Sequence, residues 1–385
     1  MNIILIVQNV DPKKYGGPAT SVPRLANRLA SNSMDVSILS LGNNVDEFSI
    51  KKYDVKYNIF KIQFGEKLQF SMGLLFHLLR NTNSKSVLHF NELWNFSALI
   101  PYIVAKYKNV PYIVSTRGVL SDACLSSSPL RKKIATKLFV KKLLASASAI
   151  HVTSSEEFIE VKRRVSNNKI FTIPNIADVD SMHKVTREEA MQNLGLDSNK
   201  LYISTMARQI KHKGTHKIIK AIAHENFDWY LLVGGPLEDK KYYKYMVSIA
   251  KKYNISDRVI FLGHLDEFQK SCLFEVSEYF ILLSDSENFG MVILESLMHS
   301  TPVITTNTTP WEKLVEHNAG WWIDDNKKSI SNALQEASKI TPESYKVLRK
   351  NSFLLSKIFS PEKVLKKYIN MYNLVHSNST NNIRK

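Results

Sequence analysis

Glu287 and Glu295 stand seven residues apart in between, in the run Ser284-Asp285-Ser286-Glu287-Asn288-Phe289-Gly290-Met291-Val292-Ile293-Leu294-Glu295. The apolar residues 279–283 before it predict a strand, and residues 292–299 carry a helical pattern. That order puts Glu287 in the loop after a strand and Glu295 about a turn and a half into a helix that begins near Gly290. Both carboxylates can then face one ligand. The amides of residues 288–291 lie at the helix N-terminus, where unpaired N–H donors receive a phosphate or a sugar hydroxyl. Taken by spacing alone, the favoured reading is an ordinary acid at a helix N-terminus and a second one in water.

A second set follows the apolar run 201–205: Arg208, then Lys211-His212-Lys213-Gly214. Two cations at a strand end, with a glycine opening the next helix, suit a diphosphate, since Arg binds bidentately and Lys supplies a point charge. A basic surface loop is the competing reading. Near the start, Tyr15-Gly16-Gly17-Pro18 leads into a helix, and paired glycines let backbone amides approach a ligand. This is not the Gly-x-Gly-x-x-Gly dinucleotide fingerprint, and a plain glycine turn serves as well. Val233-Gly234-Gly235-Pro236 follows another apolar run in the same manner.

The elements that must position these residues alternate along the chain. Short, mostly β-branched or aliphatic runs occur at 3–7, 36–41, 86–90, 112–115 and 149–152, and again at 201–205, 229–233, 259–262, 279–283 and 303–305. Helical stretches separate them, among them 22–30, 98–106, 218–223 and 292–299. The alternation predicts α/β architecture with parallel sheets and right-handed crossovers. Two such series predict two Rossmann-like domains, with a linker within residues 174–200. Ligands on such sheets bind beyond the carboxyl ends of the strands, where the singled-out residues fall. The chain from Pro342 onward reads as helix ending in a disordered Asn- and Ser-rich tail.

At 385 residues the chain is too long for one core. With 44% hydrophobic and 23% charged residues it is globular rather than disordered. No apolar run approaches the roughly 18 residues of a membrane span, and the N-terminus lacks the basic region and cleavage site of a signal peptide. The two cysteines, Cys124 and Cys272, form no CxxC, which argues against a disulfide framework or a cysteine zinc site. The chain therefore reads as cytoplasmic. Its net charge of +17 attracts polyanions without choosing among nucleic acid, anionic lipid and nucleotide phosphates.

Glu-x7-Glu enclosing Phe289-Gly290, then Thr301-Pro302-Val303, resembles the signature of the family 4 retaining glycosyltransferases of GT-B fold, glycosyl transferases group 1. Further short motifs agree in order: Gly16-Gly17-Pro18, Ile173-Pro174-Asn175, Arg208 to Lys213-Gly214, Gly234-Gly235-Pro236, Phe261-Leu262-Gly263 and Thr309-Pro310-Trp311-Glu312. The resemblance spans nearly the whole chain and is to members that build bacterial surface polysaccharide such as O-antigen. It implies two doubly wound domains facing each other across a cleft: residues 1–185 for the acceptor, 186–358 for the nucleotide sugar, and 359–385 as a C-terminal helix crossing back to the first domain. Glu287, Arg208 and Lys213 become the catalytic residues. Gly16, Gly17, Asn288, Phe289, Gly290, Met291 and Glu295 become donor-binding, with Glu295 on the ribose and Glu287 on the sugar. Many relatives carry His after the strand equivalent to residues 112–115. This chain has Thr116-Arg117-Gly118, so the resemblance gives Arg117 a part in positioning donor or acceptor. The implied donor is a UDP- or GDP-linked sugar, and the implied acceptor is an oligosaccharide on a lipid carrier.

No metal is expected. Asp178-Val179-Asp180 has the letters of a divalent-cation motif but falls in the linker. A nucleotide-sugar epimerase of the same fold is one alternative, and a basic membrane-surface binding protein without catalysis is another. Residues 130–144 bear on the latter: Leu130, Ile134, Leu138 and Phe139 share a helical face beside Lys133, Lys137, Lys141 and Lys142. Such a helix either packs on the sheet with its lysines in water, the reading the pattern favours, or lies on anionic lipid at the cytosolic face of the inner membrane. No nucleic-acid module is visible.

Overall fold

Thirteen strand segments form two parallel sheets in the computed structural model, which describes residues 1–11, 17–42, 55–65, 68–126, 129–167, 169–177, 182–225 and 227–383. The first sheet contains β1 (Asn2–Val7), β2 (Asp35–Leu41), β3 (Lys56–Phe60), β4 (Ser86–Phe90), β5 (Tyr112–Ser115), β6 (Ala149–Val152) and β7 (Ile170–Thr172), in the order β3-β2-β1-β4-β5-β6-β7. The second contains β8 (Leu201–Met206), β9 (Trp229–Gly234), β10 (Val259–Gly263), β11 (Ser277–Leu282), β12 (Val303–Thr306) and β13 (Gly320–Ile323), in the order β10-β9-β8-β11-β12-β13. Each is a doubly wound sheet that reverses direction once, between β1 and β4 in one and between β8 and β11 in the other.

The chain divides into two compact units, Met1–Ile176 with Pro361–Lys385, and Ala177–Ser360. Within each unit, apolar side chains alternate between two core layers because successive strand residues point to opposite faces. In β1, Ile4 and Ile6 enter one layer while Ile3, Leu5 and Val7 enter the other. In β11, Phe280 and Leu282 oppose Tyr279 and Ile281 in the same way. Strands covered on both faces read as continuous apolar runs, and these are the ones the sequence predicts. The three it does not predict, β3, β7 and β13, are all edge strands whose residues are largely half-exposed.

The last helix, Pro361–Ile383, belongs to the first unit. Val364, Leu365, Tyr368, Met371, Tyr372 and Val375 form its buried stripe in the layer that also holds Ile3, Leu5 and Val7. It remains helical through Ile383, where the sequence pattern predicts a disordered end. A buried chain of hydrogen bonds fixes this helix to the sheet. His151 Nε2 faces the carbonyl of Ile173 at 2.8 Å, which can only accept, so Nε2 carries the proton. Nδ1 of His151 then accepts from Ser115 Oγ (2.5 Å), Ser115 Oγ accepts from His89 Nε2 (2.6 Å), and His89 Nδ1 accepts from the Tyr372 hydroxyl (2.7 Å). One carbonyl thereby sets both tautomers.

Burial holds both imidazoles neutral, with the charge of Arg117 adding to the effect: His89 lies well below its usual value and His151 falls to about 3. The unfolded chain, with histidines near 6.5, binds protons that the folded one refuses. Stability is therefore full above about pH 6.5 and is lost as pH falls toward 3. The melting temperature is expected to drop between pH 7 and pH 5, and to drop less in His89→Asn and His151→Asn, as thermal scans at the two pH values will measure.

Candidate active site

The switch point of the second sheet brings together the turns that leave β8 and β11. After β8, Gln209 is fully buried: its Nε2 donates to the carbonyls of Ala207 (2.9 Å) and Gly234 (2.8 Å), and its Oε1 accepts from Thr215 Oγ1 (2.8 Å). That locks the turn into a short 3-10 segment, Lys211–Lys213, and then Gly214 at φ 78°. A Cβ on Gly214 would sit 1.9 Å from the carbonyl oxygen of Leu283, so only glycine admits this approach. The neighbouring turn is stitched on by Asp285 N–H and Ser284 Oγ, both donating to the carbonyl of His212 (2.8 and 3.1 Å).

These contacts set Lys213 Nζ 2.5 Å from Glu287 Oε1, in a pair whose side chains are only 16% and 14% exposed. Residues 74 apart in sequence thus meet. Beneath them Phe289 is buried against Trp311 and Phe359, and Trp311 Nε1 donates to the Phe289 carbonyl at 2.6 Å. The aromatic side chain of Phe289 is therefore core, and only its backbone is available to a ligand. Gly290, at φ 74°, is the N-cap of the helix Met291–Met298 and Gly214 that of Thr215–His224; neither helix has a side-chain cap. The helix N-terminus at Gly290 therefore lies beside Glu287, whereas at the one after Gly214 the Tyr242 hydroxyl already accepts from His216 N–H (3.0 Å).

The other expected residues take varied positions. Arg208 is half-buried, 3.6 Å from Glu238. Asn288 and Met291 are half-buried beside Gly290. Glu295, half-buried, lines a small cleft with Met182, Glu267, Lys270, Ser271 and His299. Burial pushes His299 down to about 4, so the imidazole there is neutral. Gly17 opens the helix Gly17–Ala30 with nothing within 4 Å of where a Cβ would lie. Gly16 and Asp178-Val179-Asp180 lie outside the described residues. Among the described residues no group of three or more His, Cys, Asp or Glu could hold a metal ion. Gly235, by contrast, serves packing: a Cβ there would meet the Ala207 carbonyl oxygen at 1.9 Å.

Arg117 belongs to the first unit, in the turn after β5, at φ 47°. Glu157 imposes that conformation. Its two oxygens accept from Thr116 Oγ1 (2.7 Å), Gly118 N–H (2.5 Å), Thr153 N–H (2.7 Å) and Thr153 Oγ1 (3.1 Å). The guanidinium donates to Asn91 Oδ1 (2.9 Å), Ser21 Oγ (2.9 Å) and Asn175 Oδ1 (3.1 Å). No sequence motif marks Gln209 or Glu157, and the local signal for Asn91 and Glu92 is their place directly after the apolar run 86–90.

Comparison with known proteins agrees with this architecture. The family model for glycosyl transferases group 1 matches residues 186–354, and that for a glycosyl transferase 4-like domain matches 16–175. An O-antigen biosynthesis glycosyltransferase, WclY of Escherichia coli, is 26% identical over 167 residues, 43% of this chain and 45% of that protein. This chain thus spans less than half the length of that relative. An uncharacterized glycosyltransferase of Haemophilus influenzae is 23% identical over 92% of this chain and 95% of its own. Among solved structures, Anabaena Alr3699/HepE in complex with UDP and glucose superposes with a TM-score of 0.80 at 16% identity, over 97% of this chain and 99% of that one.

Gly214→Ala should force the turn after β8 off β11. A clash of this kind costs about 1–3 kcal/mol, with left-handed strain added. Chemical denaturation should show a lower midpoint for the variant than for the wild type.

Proposed function

We propose that this chain, which belongs to the glycosyl transferases group 1 family and has the GT-B fold, moves a sugar from a nucleoside diphosphate to a carbohydrate acceptor with retention of anomeric configuration. The observation that carries this reading is the Lys213–Glu287 pair beside the glycine-capped helix N-terminus at Gly290. A lysine has three N–H donors, and Glu287 takes one of them, leaving two for phosphate oxygens. Amides of residues 288–291 and the guanidinium of Arg208 add to the charge that meets the diphosphate. Glu287 accepts hydroxyl hydrogens of the donor sugar, and Glu295 those of the ribose. Gly16 and Gly17 are assigned to the donor by the family resemblance alone.

As the anomeric C–O bond breaks, negative charge grows on the leaving diphosphate, and these fixed cations and dipoles stabilise it. The departing phosphate oxygen takes the acceptor proton, so no separate base is required. With Lys213, Arg208 and the helix amides neutralising the phosphates, no metal is required either. The UDP in the HepE complex supports a UDP-linked donor here. The O-antigen role of WclY supports a surface-polysaccharide acceptor carried on lipid.

A lipid-borne acceptor needs the enzyme at a membrane surface, and one face of the first unit suits that. Leu130, Ile134 and Leu138 are 70%, 52% and 69% exposed, flanked by exposed Arg131, Lys133, Lys137, Lys141 and Lys142. A π-turn over Thr136–Val140 divides the segment, and Val140, Leu143 and Leu144 beyond it are buried. The packing favoured by the sequence pattern thus holds for the second half, while the first half presents its apolar row to solvent. No helix among the described residues is long and apolar enough to cross a membrane. We assign this face to peripheral contact with anionic lipid.

The two glutamates should fail differently. Glu295→Ala should weaken nucleoside diphosphate and nucleotide sugar alike by about ten- to hundredfold, the worth of a charged hydrogen bond of roughly 1.5–3 kcal/mol. Glu287→Ala should leave the bare diphosphate bound and lower turnover of the sugar donor. Calorimetry with UDP and a UDP-sugar on both variants decides it; equal loss of UDP in both refutes the assignment. Reversing Lys133, Lys137 and Lys141 to Glu should abolish salt-sensitive binding to phosphatidylglycerol vesicles, measured by sedimentation.

A further inference from the structure

The first unit has its own switch point, between β1 and β4, where Ile6 pairs with Phe90. Asn91 continues that pairing: its backbone N–H and its Nδ2 both donate to the Ile6 carbonyl, at 2.8 and 3.2 Å. Glu92 follows at once and accepts the backbone N–H of Gln8 on Oε1 at 3.2 Å. Arg117, arriving from β5, donates Nε to Asn91 Oδ1. An acid and a guanidinium are thereby anchored around one asparagine at the carboxyl end of the sheet.

Arg117 and Glu92 attract each other but share no hydrogen bond. Among the described residues, the three hydrogen bonds of Arg117 end on neutral oxygens, and Glu92 accepts a single backbone N–H. Glu157, on the same sheet edge, shows what a carboxylate kept for the fold looks like: four donors share its two oxygens. A carboxylate has about four lone-pair sites, so most of the accepting capacity of Glu92 is unused. Burial meanwhile pushes its carboxyl up to about 7, against the opposing Gln8 hydrogen bond and Arg117 charge. Donors that complete its shell would relieve that cost.

We propose that Glu92 binds the acceptor sugar, taking the hydrogen of one hydroxyl while the Arg117 guanidinium donates to the neighbouring oxygen. The ligand class is a carbohydrate with two adjacent hydroxyl groups, one serving as donor and the other as acceptor. This assignment rests on the transfer reaction proposed above and adds to it the residue that selects and orients the acceptor. Glu92 is none of the residues assigned above to the donor, so its effect is expected on the acceptor.

Steady-state kinetics of the full chain test it, with UDP- and GDP-hexoses as donors and p-nitrophenyl hexosides and polyprenyl-diphosphate-linked N-acetylglucosamine as acceptors. Glu92→Gln keeps an oxygen for the Gln8 N–H and removes the charge. It should raise the acceptor KM about ten- to hundredfold, with donor KM and melting temperature within twofold and two degrees or so of wild type. Glu92→Asp should recover part of the loss. An unchanged acceptor KM in Glu92→Gln, or a donor KM that rises in parallel, overturns the assignment while the transfer reaction stands. Failure of the wild type to transfer from any of these donors overturns the transfer reaction and this assignment with it.

Discussion

The backbone of Gly214 lies against the Leu283 carbonyl, and the candidate active site depends on that approach. It closes the turn after β8 onto the turn after β11, lets His212 receive the Asp285 and Ser284 donors, and so brings Lys213 to Glu287. Any side chain at 214 would hold the two turns apart. The buried amide of Gln209 supports the turn from one side, and Trp311, gripping the Phe289 carbonyl, supports the other from below. Buried backbone groups at such strand ends need partners, and the carbonyls of Ala207, His212, Gly234 and Phe289 have them.

The two units share a sheet order and use it differently. The second unit places glycine N-caps at its switch point. The first unit places a non-glycine residue, Arg117, in the left-handed region, a conformation that costs of order 1–3 kcal/mol. The four hydrogen bonds to Glu157 hold the turn there. Behind it runs the His89–Ser115–His151 chain, whose proton order one carbonyl sets, and which the final helix closes with Tyr372. The guanidinium charge also helps keep those imidazoles neutral, so the turn and the core beneath it are electrostatically linked.

Net charge of +17 has two separable consequences. Part of it is directed inward to the strand ends, at Lys213 and Arg208. Part is gathered beside Leu130, Ile134 and Leu138, where the π-turn separates an exposed apolar row from the buried anchor of Val140, Leu143 and Leu144.

The sequence by itself determined the α/β class, the central strands and the residues of the Glu287–Glu295 loop. Each is a local property: a strand buried on both faces is a continuous apolar run, and the loop from Glu287 to Glu295 joins one strand end to the next helix start without interruption. Edge strands β3, β7 and β13 escaped because their runs (KYNIF, IFT and GWWI) are short or mixed, whereas edge strand β10, equally half-exposed, keeps an apolar run. Only the tertiary structure decided that Lys213 pairs with Glu287, that the Phe289 ring is core, and that Glu157 is saturated while Glu92 is not. It also decided which half of residues 130–144 is covered. These depend on which distant residues the sheet order brings together, and a hydrogen-bond partner 74 positions away leaves no mark on the local pattern that sequence reading uses.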